Sequence, residues 1–294
     1  MTITFGSTER AATDALVRLA LAEDLGEPGD RTGTALIDET ADGRVVLRNR
    51  QAGTVAGLEV VARVFRELDP SVTLETRCHD GQSIDGPSDL AVLAGPLRSL
   101  FAGERTALNF LGHLSGIATT TARFVAAVAD TEAVILDTRK TLPGWRRLAK
   151  YAVRCGGGTN HRLGLFDGVL IKDNHLAAWS QDGTDVTVAD AVRQARQSVP
   201  ENTPVQVEVD SLEQLIDALE GQPDMVLLDN MPPDQLVEAV GLRNRRAAGI
   251  VLEASGGITL ETVAEVAGTG IDRISLGTLT HSSQNWDVAF DWCD

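Results

Sequence analysis

From about residue 133 onward, the chain repeats one pattern: a short apolar run ends in polar residues, and a stretch with helical spacing follows. The apolar runs cover residues 133–140, 167–175, 205–211, 224–231, 250–257 and 272–279, and helices are predicted over 186–198, 212–219, 233–242 and 260–267. Strands that alternate with helices through short connections predict a parallel sheet. Six strands are too few for a closed eight-stranded barrel. We therefore predict an α/β fold built on an incomplete, open α/β barrel of about six parallel strands.

The first part of the chain has a different pattern. Helices are predicted over Thr8–Leu21 and around Val60–Leu68, and strand-like residues occupy 44–50, 71–77 and 89–95. This mixture is typical of an α+β sandwich domain with an antiparallel sheet. A long helical segment, Arg98–Ala129, is expected to bridge the domains. The predicted organisation is an N-terminal α+β domain with this bridging helix (1–112), a barrel domain (113–280) and a tail that packs back on the N-terminal domain (281–294).

Composition excludes several functional classes. The chain has 294 residues and a formal net charge of −16, whereas nucleic-acid binding and anionic membranes need a basic face. No apolar run approaches the ~20 residues that span a bilayer, and no secretory signal is visible at the N-terminus. Three cysteines without metal-ligand spacing favour reduced thiols. These features predict a cytoplasmic globular protein that binds neither nucleic acid nor membrane.

One basic segment interrupts the acidic chain. Residues 137–175 carry eight basic and three acidic side chains, a local net charge of +5, and they include every lysine of the protein (Lys140, Lys150 and Lys172). A solvated basic face is the plainer interpretation. The reversal of charge favours a site for small, multiply anionic ligands instead. Within the segment, Arg146, Lys150 and Arg154 repeat at helical spacing, which is more typical of a solvated or supporting helix, so we leave them out of the site.

Three of the remaining cations of this segment lie at the ends of predicted strands, where parallel α/β folds bind ligands. Arg139 and Lys140 end the first strand and Lys172 ends the second, and His161 and Arg162 follow a run of three glycines. Arginine offers bidentate geometry to carboxylates. A lone histidine such as His161 is more often structural.

Later strands end in residues of two other kinds. Alternation in residues 205–211 puts Glu208 on the polar face of its strand, and Asp229 ends the next strand. Two carboxylates on adjacent strands suit Mg²⁺ or sugar hydroxyls, although ion pairs with the nearby cations are an equally good interpretation. Ser255–Gly257 and Gly277 follow successive late strands, a pattern that matches a phosphate cradle in such folds.

Taken together, these segments resemble the quinolinate phosphoribosyltransferase family over essentially the whole chain. The long block DTRKTLPGWRRLAKYAVRCGGGTNHRLGLFDGVLIKDNH carries the resemblance, and EDLGEPGDRT, ERTALNFLGHLSGIAT, VEVDS, LLDN, LEASGGI and ISLGTLTHS extend it. The resemblance implies a reaction with Mg²⁺ as cofactor. Quinolinate and phosphoribosyl pyrophosphate would give nicotinate mononucleotide, pyrophosphate and CO₂, a step of NAD biosynthesis.

The resemblance also implies roles for residues that match the family's motifs. Those implied to bind substrates are Arg105, Thr138, Arg139, Lys140, His161, Arg162, Lys172, Glu208, Asp229, Ser255, Gly256, Gly257 and Gly277. Those implied to be catalytic are Lys140, Lys172, Glu208 and Asp229, of which Glu208 and Asp229 would also hold the metal. The family further implies a homodimer in which Arg105 enters the partner's site, and assembly beyond the dimer stays open.

Two alternatives remain at this point. The first is a nicotinate phosphoribosyltransferase, which uses a mono-acid and releases no CO₂. The second is a noncatalytic paralogue associated with molybdate transport. The complete cationic set with Asn160–His161–Arg162 favours the quinolinate enzyme over both.

Overall fold

A computed structural model describes residues 3–179 and 186–292. The helices are α1 (Ser7–Leu25), α2 (Arg31–Leu36), α3 (Leu58–Leu68), α4 (Leu97–Ala127), α5 (Arg146–Cys155), α6 (Asp173–Trp179), α7 (Val188–Ser198), α8 (Leu212–Glu220), α9 (Pro233–Arg246), α10 (Val263–Gly268) and α11 (Thr278–His281). The strands are β1 (Asp42–Asn49), β2 (Gly53–Thr54), β3 (Thr73–Thr76), β4 (Ser83–Ile84), β5 (Ser88–Pro96), β6 (Val134–Leu136), β7 (Val169–Ile171), β8 (Val205–Val209), β9 (Met225–Asp229), β10 (Val251–Ser255), β11 (Arg273–Ser275) and β12 (Val288–Trp292). Cys293 lies outside the described residues.

The chain folds as two compact units. Unit 1 comprises Met1–Ala122, Lys140–Gly158 and Thr278–Asp294, and unit 2 comprises Arg123–Arg139 and Thr159–Gly277. The long helix α4 therefore begins in unit 1 and ends in unit 2. Each unit has its own sheet and its own buried apolar residues.

Unit 1 is built on an antiparallel sheet with the strand order β12-β1-β5-β3. Val46 lies opposite Val92 of β5, and Leu47 lies opposite Phe290 of β12. Helix α3 buries the apolar side of its surface, including Val61 and Phe65, while its polar side stays outside. The C-terminal strand β12 is thus an edge strand of the N-terminal sheet.

Unit 2 is built on a six-stranded parallel sheet with the order β6-β11-β10-β9-β8-β7. All five strand pairs are parallel, and the six strands fall on the six apolar runs of the sequence. Helices α7 to α10 alternate with the later strands, as the helical spacing predicted. The predicted α/β class with about six parallel strands and an antiparallel N-terminal part is confirmed.

Ion pairs and backbone contacts fix the amino-terminal ends of the unit 2 strands. Asp272 accepts hydrogen bonds from Leu252 N at 2.7 Å and from the buried Arg243 at 2.7 Å. Asp224 accepts from Val205 N at 2.7 Å and from Arg196 at 2.6 Å. These carboxylates satisfy backbone donors where strands begin. The polar residues at the opposite, carboxyl ends of the strands form part of the candidate site.

Within the described residues, every helix is either too short or too polar to cross a bilayer.

Candidate active site

The carboxyl ends of β7 and β8 are joined by an ion pair. Lys172 directly follows β7, Glu208 lies in β8, and Lys172 Nζ donates a hydrogen bond to Glu208 Oε2. The Glu208 side chain is 16% exposed and that of Lys172 is 41% exposed. The sequence left open whether Glu208 pairs with a cation, and here it does. The pair holds one positive and one negative group together at the end of the sheet.

Asp229 ends the neighbouring strand β9 and faces a small acidic cavity. The cavity measures about 80 Å³, and its polar lining includes Asp173, Glu208, Asp210 and Asp229. Asp229 Oδ2 accepts a hydrogen bond from Asn230 Nδ2 at 2.8 Å. No group of three or more ligating side chains is preassembled for a metal ion in the described part of the chain.

A glycine turn follows β10. Gly256 has φ +98° and Gly257 has φ +61°, backbone conformations that L side chains rarely adopt. A Cβ atom at Gly256 would lie 2.1 Å from Asn230 Oδ1, whereas one at Gly257 would meet open space. Asn230 N also donates to Ser255 O at 2.8 Å, so the two strand ends are tied together. The turn can therefore present its backbone N–H groups to an anion.

Gly277 lies close to this turn in the sheet. It follows β11, in which Ser275 pairs with Ser255 of β10. On the other side of β10, Ser255 is in register with Asp229 of β9. Asp229 and the residue that begins the glycine turn therefore lie at the same position along their strands. The predicted phosphate cradle thus lies at the carboxyl ends of two neighbouring strands, beside a carboxylate.

The segment that carries His161 lies along β6. Thr159 forms a parallel bridge to Leu136, and its N–H donates to Ile135 O at 2.8 Å. Asp137 is fully buried and accepts from Asn160 Nδ2 at 2.6 Å and from His161 N at 2.9 Å. Asp137 therefore fixes the backbone of this segment.

Both ring nitrogens of His161 are engaged within unit 2. Nδ1 accepts a hydrogen bond from Arg162 N at 2.7 Å. Nε2 lies 3.0 Å from Gln206 Oε1 and 3.3 Å from Glu253 Oε2. Gln206 and Glu253 are buried residues of β8 and β10. The His161 ring is therefore oriented by two side chains that belong to the sheet.

Arg139 and Arg162 are two half-buried guanidinium groups of the same unit. Burial lowers the pKa of Arg162, and repulsion from Arg139 lowers it further. Arg162 also donates to Gly168 O at 3.1 Å. Two neighbouring cations repel each other until an anion lies between them, which favours a ligand with more than one negative charge.

The other predicted site residues are distributed over both units. Thr138 is half-buried in unit 2, between Asp137 and Arg139. Lys140 belongs to unit 1, is exposed, and its carbonyl accepts from Thr280 Oγ1 at 2.7 Å. Arg105, also of unit 1, is an exposed residue of α4 and lines a cavity of about 240 Å³ with Glu23, Asp24, Phe110 and Trp145 among others. Unit 2 therefore collects Arg139, Arg162, Lys172, Glu208, Asp229 and the glycine turn.

Sequence reasoning missed the polar residues behind these groups. Asp137, Gln206 and Glu253 were not predicted as part of the site, although all three are buried, Gln206 and Glu253 within strands and Asp137 directly after β6. Of the two interpretations given for the basic stripe, a solvated or a supporting helix, the solvated one does not hold at Lys150. Lys150 of α5 is only 3% exposed and has partners in the structure, so at this position the stripe is not a solvated face. Seven of the ten residues of α5 are buried, which the spacing of its basic residues did not indicate.

Comparison with known proteins matches nearly the whole chain. The model described as "Quinolinate phosphoribosyl transferase, N-terminal domain" matches residues 30–115, and that of the C-terminal domain matches residues 117–291. The chain is 45% identical over 280 residues to a nicotinate-nucleotide pyrophosphorylase (carboxylating) of Mycobacterium leprae, a match that covers 94% of this chain and 95% of that protein. It is 40% identical over 270 residues to a probable nicotinate-nucleotide pyrophosphorylase (carboxylating) of Bacillus subtilis, which covers 92% of this chain and 89% of that protein. The solved structure of the nicotinate-nucleotide pyrophosphorylase from Francisella tularensis superposes with a TM-score of 0.87 at 36% identity and covers 96% of each chain.

Proposed function

Because the chain belongs to the quinolinate phosphoribosyl transferase family, we propose that it transfers phosphoribosyl from phosphoribosyl pyrophosphate to quinolinate with loss of CO₂. The products are nicotinate mononucleotide, pyrophosphate and CO₂, and the reaction serves NAD biosynthesis. The observation that carries the proposal is the arrangement at the carboxyl ends of the unit 2 strands: the ion pair of Lys172 with Glu208, the carboxylate of Asp229, and the turn at Gly256. In the proposal, the cation serves a carboxylate of quinolinate, the carboxylates serve the ribose of phosphoribosyl pyrophosphate, and the turn serves its 5-phosphate.

In this proposal, Arg139, His161, Arg162 and Lys172 bind quinolinate, with Thr138 and Lys140 beside them. Quinolinate carries two carboxylates, and guanidinium groups bind carboxylates through paired hydrogen bonds. The turn formed by Ser255, Gly256 and Gly257, together with Gly277, binds the 5-phosphate of phosphoribosyl pyrophosphate. Glu208 and Asp229 bind the ribose hydroxyls.

The transfer step needs no protein nucleophile. The ring nitrogen of quinolinate forms a bond to C1 of the ribose while the bond from C1 to pyrophosphate breaks, and the electron pair leaves with pyrophosphate. Positive charge develops on the sugar in between, and the carboxylates Glu208 and Asp229 stabilise it electrostatically. Lys172, paired with Glu208, orients that carboxylate.

Decarboxylation follows from the charge on the ring. Once the nitrogen is ribosylated it is cationic, so the bond between C2 and its carboxylate can break, and the electron pair that stays on C2 is stabilised by the adjacent cationic nitrogen. C2 then takes up a proton and CO₂ leaves. The roles proposed for Lys140 and Lys172 are to hold the substrate carboxylates in place during these steps.

The donor set fits Mg²⁺. Mg²⁺ prefers carboxylate oxygens, keeps several waters, and is commonly bound by one or two carboxylates together with substrate phosphates. Glu208 and Asp229 line one acidic cavity and supply two such carboxylates. When bound there, the ion would neutralise negative charge on the pyrophosphate leaving group.

We also propose a homodimer in which Arg105 serves the site of the partner subunit. Arg105 is exposed on α4, and no salt bridge occupies it among the described residues. It lies beside the exposed Leu19 in a cavity that a second chain can cover. Assembly beyond the dimer stays open. A cytoplasmic location is part of the proposal, and the free thiols Cys78 and Cys155 support it.

One assay tests the proposed activity against its alternatives. The purified protein is mixed with phosphoribosyl pyrophosphate, Mg²⁺ and either carboxyl-labelled quinolinate or nicotinate. Release of CO₂ and formation of nicotinate mononucleotide from quinolinate are expected. Turnover of nicotinate without CO₂ would identify a nicotinate phosphoribosyltransferase. Absence of turnover with either acid would contradict the enzymatic proposal and leave the noncatalytic paralogue.

A further inference from the structure

A chain of hydrogen bonds runs from a buried carboxylate to the backbone of Arg162. Gln206 Nε2 donates to Glu253 Oε2 at 3.1 Å, and the His161 ring lies 3.0 Å from Gln206 Oε1 through Nε2. The other ring nitrogen, Nδ1, accepts from Arg162 N at 2.7 Å. All four residues belong to unit 2.

The chemistry of the groups determines which atom donates and which accepts at each link of this hydrogen-bond chain. An ionised carboxylate only accepts hydrogen bonds, so the amide nitrogen of Gln206 must face Glu253 and its oxygen must face His161. An amide oxygen also only accepts, so the proton of the neutral imidazole lies on Nε2. Nδ1 is then the acceptor that the N–H of Arg162 requires. Reversal of any link would place two donors or two acceptors face to face.

Glu253 is ionised at neutral pH. Burial acts to raise its pKa, but hydrogen bonds from His161, Ser275 and Gln206 outweigh this effect, and the pKa lies below its ordinary value of 4.5. Glu253 is fully buried. A buried charge is costly, and a purely structural barrel interior would hold branched apolar side chains at such positions.

The hydrogen-bond chain lies next to the proposed substrate site in β8 and β10. Glu253 is two residues before Ser255 and shares its face of β10, and Gln206 is two residues before Glu208 on the same face of β8. Glu253 and Gln206 therefore lie one layer below the residues at the carboxyl ends of the strands. Hydrogen bonds of the His161 ring join His161 and the backbone of Arg162 to this layer.

We propose that Glu253 is a positioning residue for substrate binding, which acts on His161 both directly and through Gln206 and so fixes the backbone, and hence the guanidinium, of Arg162. The proposal rests on the proposed function, because it takes Arg162 as a ligand of the quinolinate carboxylates. Glu253 itself touches no substrate. Its carboxylate can only accept hydrogen bonds, and this determines the donor and the acceptor at every other link of the hydrogen-bond chain.

The variant Glu253→Gln removes that constraint while it keeps the shape of the side chain. The new amide can present either its oxygen or its nitrogen to Gln206 and to His161, so the His161 ring is expected to populate both tautomers. The KM for quinolinate should rise by about tenfold to a hundredfold, the range for disrupting a hydrogen bond to a charged group. The KM for phosphoribosyl pyrophosphate should stay within about twofold, because the glycine turn is untouched. The tautomer is read from the ¹⁵N signals of the imidazole, which His161→Asn identifies by their loss.

A swapped variant separates this constraint from packing. Gln206→Glu combined with Glu253→Gln keeps the same two side-chain types but moves the carboxylate from one neighbour of His161 Nε2 to the other, where it again requires the proton on Nε2. This double variant should restore the Nε2–H tautomer and bring the KM for quinolinate to within about threefold of wild type. Glu238→Gln, an exposed residue of α9 in the same unit, is the matched control and should change neither reading.

The tautomer of His161 and the KM for quinolinate together decide whether Glu253 has the proposed role. An unchanged His161 tautomer in Glu253→Gln, or a raised KM without a tautomer change, overturns the proposal. If Glu253→Gln does not fold, the swapped variant decides: a folded protein with the Nε2–H tautomer and near-normal KM supports the proposal, and any other result refutes it. If the wild-type protein does not turn over quinolinate, the proposed function fails, whereas the tautomer measurement still tests the hydrogen-bond chain.

Discussion

Lys172 and Glu208 form an ion pair that spans the carboxyl ends of two neighbouring parallel strands. The pair stands at the point where unit 2 changes from apolar strands to polar loops. Because each partner has a different proposed ligand, a substrate carboxylate for Lys172 and a ribose hydroxyl for Glu208, the pair couples the two substrate subsites. Loss of one partner should therefore affect both.

Lys172→Ala is expected to lower kcat/KM for quinolinate by about 30-fold to several thousand-fold, or roughly 2–5 kcal/mol, since it removes a cation and leaves Glu208 without its partner. CO₂ release measures the loss. The fold should remain intact, because Lys172 is partly exposed, and circular dichroism checks this. Arg193→Ala, which removes an exposed ion pair with Asp190 elsewhere in unit 2, is the control and should leave turnover unchanged. Near-normal turnover of Lys172→Ala would contradict the site assignment.

Gly256→Ala should weaken binding of phosphoribosyl pyrophosphate selectively. The new methyl group would meet Asn230 Oδ1 at 2.1 Å, and the positive φ of this residue adds about 1–3 kcal/mol of strain. The turn must shift, so the KM for phosphoribosyl pyrophosphate should rise by about tenfold or more, while quinolinate binding measured in the absence of the second substrate stays the same. Gly268→Ala, at the end of α10 with open space around it, is the matched control. An equal loss of both affinities would argue against a phosphate cradle at this turn.

Much of the architecture followed from periodicity, because a parallel strand buried on both faces is a continuous apolar run and the chain has six of them. Polar residues at the strand ends, such as Asp229 and Ser255, could be placed by the same argument. Periodicity could not predict which residue each polar side chain hydrogen-bonds in the folded protein. Gln206 and Glu253 meet across the strand between them, and nothing local marks that meeting.

Burial in α5 was also beyond sequence reasoning. A regular spacing of Arg146, Lys150 and Arg154 indicates one helical face, but the spacing alone does not say whether that face meets water or protein. In unit 1, Arg154 pairs with Glu9 and Lys150 is buried. The ion-pair partner lies 145 residues away in the chain, so only the fold reveals it.

The proposed sharing of Arg105 between subunits predicts complementation. Arg105→Ala and Lys172→Ala should each be nearly inactive as homodimers. If Arg105 serves the partner's site, an isolated heterodimer of the two variants contains one intact site of two and should have about half of wild-type activity. Differently tagged chains allow its purification after coexpression. If Arg105 serves its own chain, both sites of the heterodimer are defective and no activity returns.

The carboxylate of Glu9 predicts a pH-dependent contribution to stability. It accepts hydrogen bonds from Gly6 N at 3.1 Å and from Arg154 at 2.8 Å, at the start of α1. Burial acts to raise its pKa, but hydrogen bonds from the backbone, Thr8 and Arg154 outweigh burial, so the pKa in the folded protein lies below the ordinary 4.5. A group with a lowered pKa stabilises the fold above its unfolded pKa and loses that effect as the pH falls through the folded pKa.

Glu9→Gln should therefore lower the free energy of unfolding by roughly 1 kcal/mol at pH 7, the usual size of a helix cap or a partly exposed ion pair. The difference from wild type should shrink as the pH falls below 4.5 and vanish below the folded pKa, because both proteins then carry an uncharged side chain at this position. Thermal unfolding followed between pH 3 and pH 7 measures the difference, with the exposed Glu39→Gln as a control that should match wild type throughout. A difference that persists unchanged at pH 3 would mean that Glu9 acts through its shape and not through its charge.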